Sequence, residues 1–310
     1  MIGCANMHIL EPNERTARDA FSASFDPVLT IQSGDTVRYR HVLDAAWLDG
    51  TGTTSSLTET VSHNGHALVG PIAIEGAKPG MVLAVHVGEI ITAPKGWNIG
   101  GGPGLELWQK LGTELPERPP RTWWEINRET MTATNPTGQT VRVAPFMGVM
   151  GMPPGPEGSH PTPPPRFTGG NIDCKLLTAG STLYLPIAVE GGLFSTGDGH
   201  AAQGDGEVSL TAIECSIEQV DLTFTLLPDM HLSTPRALTS EGKITLGFHE
   251  DLDEATYIAL NAMLDWLIEL YGFTRQDALS LASVAVDMRI TQIVNGVKGV
   301  HALLPDGAVW

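Results

Sequence analysis

The sequence predicts an α+β fold that is predominantly β, with sandwich-like or barrel-like β units and a C-terminal helix pair followed by a strand. Glycine and proline are frequent, with 35 and 22 of 310 residues, and they separate short alternating segments. Helix-period segments are scarce before residue 250. A turn glycine is followed by an alternating segment three times, at Gly34, Gly80 and Gly180, which is typical of β-sandwiches and barrels.

The sequence predicts two parts. Residues 1–150 form an N-terminal β-rich part with a glycine-rich loop, and residues 151–310 contain a proline-rich arm, an acid and histidine motif, further strands and the C-terminal helix pair. The alternative is that both parts form one intimate domain. In the first part, alternating apolar residues predict a strand pair over 28–42 and a strand over 81–90. The glycine-rich segment 95–104 lacks the Gly-Lys-Ser/Thr ending of a phosphate loop, and we expect an irregular connector there.

Seven prolines lie between residues 151 and 166, and this density excludes a helix or a central strand. The segment is therefore expected to be an extended crossing. It could be an interdomain linker, but it leads directly into an unusual polar stretch. We therefore favour a rigid positioning arm.

The second part is predicted to alternate strands with one helix pair. The strong helical pattern covers 253–271, where apolar residues recur at spacings of three, four and seven. Asp251 or Asp253 can cap this helix, Gly272 ends it, and Thr274 begins a second, shorter helix. Alternation predicts strands over 182–189, 208–215, 220–227, 243–248 and 283–295, and residues 216–219 are expected to join 208–215 and 220–227 as a pair.

The charge of the chain limits its partners. The formal net charge of −17 and the isoelectric point near 4.8 argue against nucleic acids and anionic membranes, and they favour a neutral or cationic small molecule. No apolar segment reaches the length of a membrane span, and the first residues show no signal-peptide pattern. The three cysteines, Cys4, Cys174 and Cys215, are too few and odd in number for a disulfide framework. We therefore expect a cytoplasmic protein.

One stretch, residues 167–207, concentrates acids, amides and a histidine between glycines. Short side chains on tight glycine turns can bring oxygen and nitrogen atoms inward, as a metal site or an acid–base site requires. The spacing matches neither a calcium-binding helix–loop–helix nor a His-Glu-x-x-His zinc helix, so it does not identify a metal. The candidate residues are Asn171, Asp173, Asp198, His200, Gln203, Asp205 and Glu207.

These candidates also have structural interpretations. His200 could be an ordinary hydrogen-bonding histidine, but its Gly-Asp-Gly-His context favours a metal ligand or a proton carrier. The aspartates could be turn residues, although turns alone rarely need so many acids beside a histidine. His63 and His66 lie three apart on an earlier loop, where they could face the same site or be plain polar residues. Cys174 should point away from the site if Asp173 points into it, because neighbouring strand residues alternate faces.

Three segments carry a resemblance to a known family: Gly169-Gly-Asn-Ile-Asp-Cys-Lys175, Ala179-Gly-Ser-Thr-Leu-Tyr-Leu-Pro186 and Gly197-Asp-Gly-His-Ala-Ala-Gln-Gly-Asp-Gly-Glu207. They resemble the acetamidase/formamidase family, and segments 70–80 and 292–300 extend the resemblance over most of the chain. The resemblance implies a β-rich fold with a small α/β portion and hydrolysis of a short amide to a carboxylate and ammonia. It also implies a homo-oligomer, a dimer or larger, and a bound divalent metal, zinc or calcium. The family includes members that act on cyclic amides, so the bond type is better indicated than the substrate.

Each candidate residue from the stretch 167–207 stands at a position of one of the family's sequence patterns. Met81 and Cys174 depart from the family pattern, but neither belongs to the acid and histidine set. Asn171 and Asp173 stand in the Gly-Gly-Asn-x-Asp pattern. The Gly-Asp-x-His-x-x-Gln-Gly-Asp-Gly-Glu pattern contains Asp198, His200, Gln203, Asp205 and Glu207.

A metal-dependent hydrolysis is the leading hypothesis. Asp173, Asp198 and His200 would hold a divalent metal, with zinc expected and calcium as the alternative. The motif adds Asn171 and Asp205 as further candidate ligands.

Three residues are the catalytic candidates of this hypothesis. Glu207 or His66 would take a proton from water and pass it to the leaving nitrogen, and Gln203 is the third candidate. Three alternatives stay open: a lactam hydrolase, a thiol amidase that uses Cys174, and a non-catalytic β-sandwich module with a structural metal.

Overall fold

The computed structural model of the chain describes residues 5–44, 65–101, 106–113 and 120–310. Within these residues strands predominate, and two helices near the C-terminus are followed by strands, which confirms the predicted fold class. Two large sheets and one small sheet account for the strands.

The elements are numbered in chain order. The strands of the first half are β1 (Met7–Leu10), β2 (Ala17–Arg18), β3 (Ala20–Phe21), β4 (Leu29–Ile31), β5 (Thr36–Val42), β6 (Leu68–Ile74), β7 (Val82–Thr92), β8 (Lys95–Asn98), β9 (Thr122–Asn127), β10 (Thr132–Thr134), β11 (Thr140–Arg142) and β12 (Phe146–Gly151). Those of the second half are β13 (His160–Pro161), β14 (Gly169–Asn171), β15 (Thr182–Pro186), β16 (Phe194–Ala202), β17 (Ile213–Glu214), β18 (Ile217–Leu227), β19 (Arg236–Thr239), β20 (Gly242–His249), β21 (Asp287–Gln292) and β22 (Lys298–Pro305). The helices are α1 (Glu106–Leu111), α2 (Leu252–Tyr271) and α3 (Arg275–Ala285).

The first large sheet has nine strands in the order β1-β5-β18-β7-β15-β19-β20-β22-β21. Its neighbouring strands are antiparallel, except that β1 and β5 run parallel. The second has eleven strands, of which eight follow the path β11-β10-β9-β8-β17-β16-β12-β14. The other three are β6, which branches from β16, and its partners β2 and β4. Both sheets combine strands from residues 1–150 and 151–310.

Two predicted strand pairings are wrong. β4 and β5 are both strands, but β4 pairs with β6, while β5 pairs with β1 and β18. β17 and β18 lie in different sheets, and most of the predicted strand 208–215 is irregular. Alternation identifies a strand and its buried face, but it does not specify which edge the strand will join.

The two large sheets face each other across a shared apolar core. Phe194 of β16 and Phe224 of β18 meet edge-on, with ring centroids 5.0 Å apart. The same buried cluster includes Val85 of β7 and Met147 of β12. Burial of apolar surface contributes roughly 25 cal/mol per Å². This interface therefore stabilises the sandwich and fixes the strands that carry the site.

Helices α2 and α3 pack at the β20–β22 end of the first sheet. Asp251 caps α2 by accepting from two backbone N–H groups of its first turn, and Gly272 ends the helix at a φ of 68°. Gly247 of β20 has no room for a side chain, because a Cβ would lie 2.0 Å from the Ala255 carbonyl oxygen. Both predicted helices are confirmed, but α3 continues beyond the predicted start of the last strand, which begins at Asp287. None of the helices within the described residues combines the length and apolar composition needed to cross a bilayer.

The proline-rich segment runs between β12 and β14 and contacts two predicted site residues. Its short strand β13 pairs with β3. The Thr162 hydroxyl accepts a hydrogen bond from the backbone N–H of His66 at 2.7 Å. The Pro163 carbonyl accepts one from Asn171 Nδ2 at 3.2 Å.

Candidate active site

Three neighbouring strands of the second sheet position the centre of the site. β16 carries Asp198 and His200, and it lies between β17 and β12. His200 is opposite Glu214 in β17 and opposite Phe146 in β12. The Phe146 ring meets the imidazole edge-on, with centroids 5.1 Å apart. This contact helps to hold the imidazole plane inside the sheet.

Hydrogen bonds orient the His200 imidazole. Gln203 Nε2 donates to the Asp173 backbone carbonyl at 2.7 Å, so Gln203 Oε1 faces His200 Nδ1 at 3.1 Å. An amide oxygen can only accept, and Nδ1 is therefore the donor in this contact. Nε2 lies 3.2 Å from Asp198 Oδ2 and 3.3 Å from Glu214 Oε1. The second ring nitrogen thus faces two carboxylates.

Asp173 and Glu207 complete the cluster from the loops that follow β14 and β16. Asp173 Oδ2 accepts a hydrogen bond from Asn295 Nδ2 at 2.7 Å. Asp173, Asp198 and Glu207 all have left-handed backbone, with φ of 50°, 60° and 46°. Residues other than glycine rarely adopt this conformation, and such strain concentrates at functional sites. The fold therefore holds these carboxylates in positions that local backbone preference does not favour.

Four buried carboxylates surround His200, and each keeps one oxygen without a hydrogen-bond partner. Within the described residues, no lysine or arginine forms an ion pair with any of them. A buried carboxylate that lacks a partner is costly, so this arrangement requires protons or a cation. The unpaired atoms are Asp173 Oδ1, Asp198 Oδ1, Glu207 Oε2 and Glu214 Oε2.

The ligand atoms of this cluster fit a divalent cation. Imidazole nitrogen and carboxylate oxygen are ligands that Zn²⁺ accepts. The absence of a side chain at Gly148 leaves room for these carboxylates, because a Cβ there would lie 2.6 Å from Asp198 Oδ2 and 2.7 Å from Asp173 Oδ1. Two overlapping groups have their ligand atoms within 4.8 Å of one another: Asp173, Asp198 and His200, and His200, Glu207 and Glu214.

Burial and mutual charge shift the pKa values of the cluster. Burial raises the pKa of Asp173 to about 7 and that of Glu214 to about 8. Burial and the Asp173 charge raise the pKa of Glu207 well above its usual range. Burial opposes protonation of His200, but Glu214 and Asp198 raise its pKa well above the usual value. Burial also acts to raise the pKa of Asp198, yet the neighbouring imidazoles lower it below the usual range. Asp198 is therefore ionised, while Asp173 and Glu214 can exchange protons near neutral pH.

Four predicted site residues lie outside the two ligand groups, and one of them, Gln203, contacts His200 as described above. His66 Nε2 is 3.9 Å from Asp198 Oδ2, and burial lowers the pKa of this histidine. Asn171 is buried and donates to a carbonyl of the proline-rich segment. The Asp205 carboxylate lies 3.0 Å from Lys175 Nζ, and both side chains are about one-third exposed.

Sequence reasoning did not single out three residues that shape the site. Glu214 lies in β17 between the buried Ile213 and Cys215. An acid between apolar neighbours in a predicted strand is a signal that could have identified it. Asn295 and Gly148 lie far from the acidic motif in sequence, and tertiary contacts alone reveal them.

The structure opposes a nucleophilic role for Cys174. Its side chain is buried, and burial raises the pKa of the thiol to about 12. Nucleophilic cysteines instead have lowered pKa values, because the thiolate is the reactive form. His63, which the sequence offered beside His66, lies outside the described residues.

The fold and the site define a β-rich protein of two facing sheets with a buried carboxylate–histidine centre. The model of the acetamidase/formamidase family matches residues 10–160 and 155–306. The chain therefore belongs to the acetamidase/formamidase family, which confirms the resemblance carried by the motifs.

Curated and solved relatives agree with this assignment. A formamidase of Methylophilus methylotrophus is 27% identical over 213 residues, covering 53% of this chain and 52% of that protein. An acetamidase of Mycolicibacterium smegmatis is 28% identical over 199 residues, covering 46% and 49%. The chain thus spans about half the length of the curated relatives it matches. The crystal structure of a recombinant predicted acetamidase/formamidase from Thermoanaerobacter tengcongensis is 28% identical, with a TM-score of 0.84 over 97% of both chains.

Proposed function

We propose that this protein is an amidohydrolase that cleaves the C–N bond of a small neutral amide and releases a carboxylate and ammonia. The observation that carries the proposal is the set of four buried carboxylates with unpaired oxygens around one oriented imidazole. Membership of the family supports an amide bond as the target, because two relatives are named formamidase and acetamidase. Formamide and acetamide are therefore the first substrates to test.

The centre supports a bound divalent cation. Asp173, Asp198 and His200 would hold this cation. The hydrogen bond from His200 Nδ1 to Gln203 leaves Nε2 of the imidazole facing the carboxylates, where it could act as a ligand. When bound, such a cation would polarise the amide carbonyl and lower the pKa of a water molecule. We place zinc before calcium, because an imidazole nitrogen is an ordinary ligand of Zn²⁺ whereas Ca²⁺ takes oxygen ligands.

Glu207 is the proposed general base. Its carboxylate is buried beside Asp173, and its Oε2 has no partner. A raised pKa makes a carboxylate a stronger base toward a proton of the attacking water. The proton passes to the leaving nitrogen, because an amide anion is a very poor leaving group. The water oxygen ends in the carboxylate product and the nitrogen leaves as ammonia.

Gln203 and His66 would support this chemistry. Gln203 fixes the donor side of the His200 ring through its 3.1 Å contact. The His66 ring is held at Nδ1 by the Thr162 hydroxyl at 2.8 Å, with Nε2 toward Asp198. His66 is therefore the second candidate for the proton-accepting role, because it is a neutral imidazole beside the cluster.

Ammonia release from formamide and acetamide tests the proposal. Activity would be measured on the purified protein, after treatment with a chelator, and after addition of zinc or calcium, with metal content determined by elemental analysis. We expect activity to fall on chelation and to return with zinc. Full activity in a metal-free preparation would overturn the proposal of a bound cation but not the proposal of amide hydrolysis.

The same screen decides the wider alternatives. A lactam would open to an amino acid without releasing ammonia, so the product amine must be measured as well. If the metal-loaded protein hydrolysed neither linear amides nor lactams, the amidohydrolase proposal would fail and a structural metal module would remain. Cys174→Ser should keep activity, and its complete inactivity in a folded variant would favour the thiol mechanism.

A further inference from the structure

A cavity of about 400 Å³ opens beside the proposed active site. Gln203 and Glu207 line it together with Trp124, Val141 and Ile213. This volume lies within the range of about 300–1,000 Å³ that is typical of small-molecule sites. Two larger cavities, of about 480 and 460 Å³, border α2 and contain none of the acids or histidines of the site. The 400 Å³ cavity is therefore the candidate substrate pocket.

Three polar side chains of this pocket wall, those of Trp124, Thr211 and Ser209, are engaged in hydrogen bonds. Trp124 Nε1 donates to Asn98 Oδ1 at 2.8 Å. Thr211 Oγ1 accepts from the backbone N–H of Ile99 at 3.1 Å, and Ser209 Oγ donates to the Thr211 carbonyl at 3.2 Å. Apart from Arg142, Gln203, Asp205 and Glu207, the wall therefore offers a substrate mainly an indole ring and aliphatic side chains.

We infer that the proposed hydrolase prefers amides whose acyl group is bulky and apolar, such as an arylalkyl group, over formamide and acetamide. This inference rests on the proposed function and names its substrate class. The acyl group of acetamide is a single methyl group, which would leave most of the pocket to water. An aromatic acyl group would contact the Trp124 indole and displace water from Val141 and Ile213.

A series of primary amides tests the inference. Values of kcat/KM would be measured for formamide, acetamide, isobutyramide and phenylacetamide on the metal-loaded full chain. A hydrophobic pocket discriminates between substrates by about 10- to 200-fold for each methylene group. We therefore expect phenylacetamide to exceed acetamide by about tenfold or more.

Two adjacent tryptophans provide a matched pair of variants. Trp124→Ala should lower the ratio of kcat/KM for phenylacetamide to that for acetamide by about tenfold, mainly through KM. Trp124→Phe should restore most of this ratio, because it keeps an aromatic wall. Trp123→Ala is the control, since Trp123 is the neighbouring residue of β9, is 51% exposed and does not line the pocket. The control should keep the wild-type ratio.

The outcomes separate this inference from the proposed function. If no amide is hydrolysed, the proposed function fails. If acetamide and phenylacetamide are hydrolysed and Trp124→Ala leaves their ratio unchanged, the function stands and the inference fails. Arg142 also borders the pocket, so an amide that carries a carboxylate belongs in the series. A preference for that anionic amide over phenylacetamide would also overturn the inference.

Discussion

Two buried aspartates, Asp35 beside the first large sheet and Asp173 beside the second, differ in the hydrogen-bond partners of their carboxylate oxygens. Asp35 precedes β5, and its Oδ1 accepts from the Asn6 backbone N–H at 2.8 Å. Its Oδ2 accepts from the Gln32 backbone N–H at 2.9 Å and lies 3.2 Å from His8 Nε2. Asp173 follows β14 and has one partner for Oδ2 but none for Oδ1. Both side chains are buried, so burial alone does not distinguish them.

The pKa values of these two acids move in opposite directions. Burial acts to raise the pKa of Asp35, but the hydrogen bonds from Asn6 and Gln32 lower it below the usual value. Burial raises the pKa of Asp173 to about 7, and the nearby Asp198 adds to this. A buried acid with paired oxygens holds the fold together, whereas one with an unpaired oxygen is available to a ligand or a proton. Four substitutions can break or sharpen this contrast.

Glu207→Gln should have the largest effect. It removes the proposed base, and loss of general base catalysis typically costs about 10²- to 10⁴-fold in rate. We expect this loss in kcat for acetamide, while the melting temperature stays the same or rises, because the substitution removes an ionisable acid whose charged form is disfavoured by burial and by Asp173. Steady-state kinetics and thermal denaturation measure the two effects.

Glu190→Gln is the control for that substitution, since Glu190 is an exposed glutamate. It should change neither kcat nor the melting temperature. A Glu207→Gln enzyme that kept kcat within a few-fold of wild type would remove Glu207 from the role of base. A large loss of stability in that variant would place Glu207 with the structural acids such as Asp35.

Gly148→Ala should damage the site without unfolding the protein. The new Cβ would lie 2.6 Å from Asp198 Oδ2 and 2.9 Å from His200 Cε1, so these side chains would have to move. Displacement of catalytic groups by about 1 Å can cost about 10²-fold in rate. We expect a loss of that order in kcat and weaker binding of zinc, measured by kinetics and by titration with the metal.

Gly100→Ala is the matched control for the cavity argument. A Cβ at Gly100 would meet nothing within 4 Å, so both activity and metal binding should be retained. If Gly148→Ala bound zinc as tightly as wild type, the space beside Gly148 would not belong to the metal site.

Local sequence signals predicted the two C-terminal helices, several strands and part of the candidate active site. The cap Asp251 and the terminator Gly272 define α2 because both act within one turn of the helix. Asp173, Asp198 and Glu207 could be selected as candidates because they lie in one glycine-rich stretch, residues 167–207, and the structure gathers them around His200.

The rest of the site depends on long-range pairing, which local patterns do not encode. Glu214 reaches His200 because β17 pairs with β16, whereas the sequence predicted one strand over 208–215 paired with the next. Asn295 reaches Asp173 from 122 residues further along the chain. Such approaches follow from which strand edges join, and alternating segments are compatible with many edges.

Asn295→Ala should have an intermediate effect. Asn295 Nδ2 donates to Asp173 Oδ2 and so orients the other oxygen toward the cluster. Loss of a hydrogen bond that orients a metal ligand typically costs about 10- to 100-fold in metal affinity or activity. Zinc titration of the variant measures the effect directly.

Asn295→Asp distinguishes orientation from simple packing. This variant has nearly the same size, but it cannot donate and it adds a negative charge beside Asp173. It should therefore be at least as impaired as Asn295→Ala in zinc affinity. Wild-type affinity in Asn295→Asp would show that the hydrogen bond does not position Asp173.

Asp35→Asn should change stability and leave kcat unchanged, which makes it the smallest of the four effects on the reaction. Breaking hydrogen bonds of a buried charged group costs about 1–3 kcal/mol in the free energy of unfolding. Because the pKa of Asp35 is lower in the folded chain than its usual 3.8, its contribution is fully present above that value and is lost as the pH falls through the folded-state pKa. The stability difference between wild type and Asp35→Asn, measured by urea denaturation from pH 7 to pH 3, should therefore shrink at the acid end.

The exposed Asp26→Asn is the control and should change the free energy of unfolding by less than about 0.5 kcal/mol. A difference that grew on acidification, or a loss of kcat at neutral pH, would contradict the assignment of Asp35 to the fold alone.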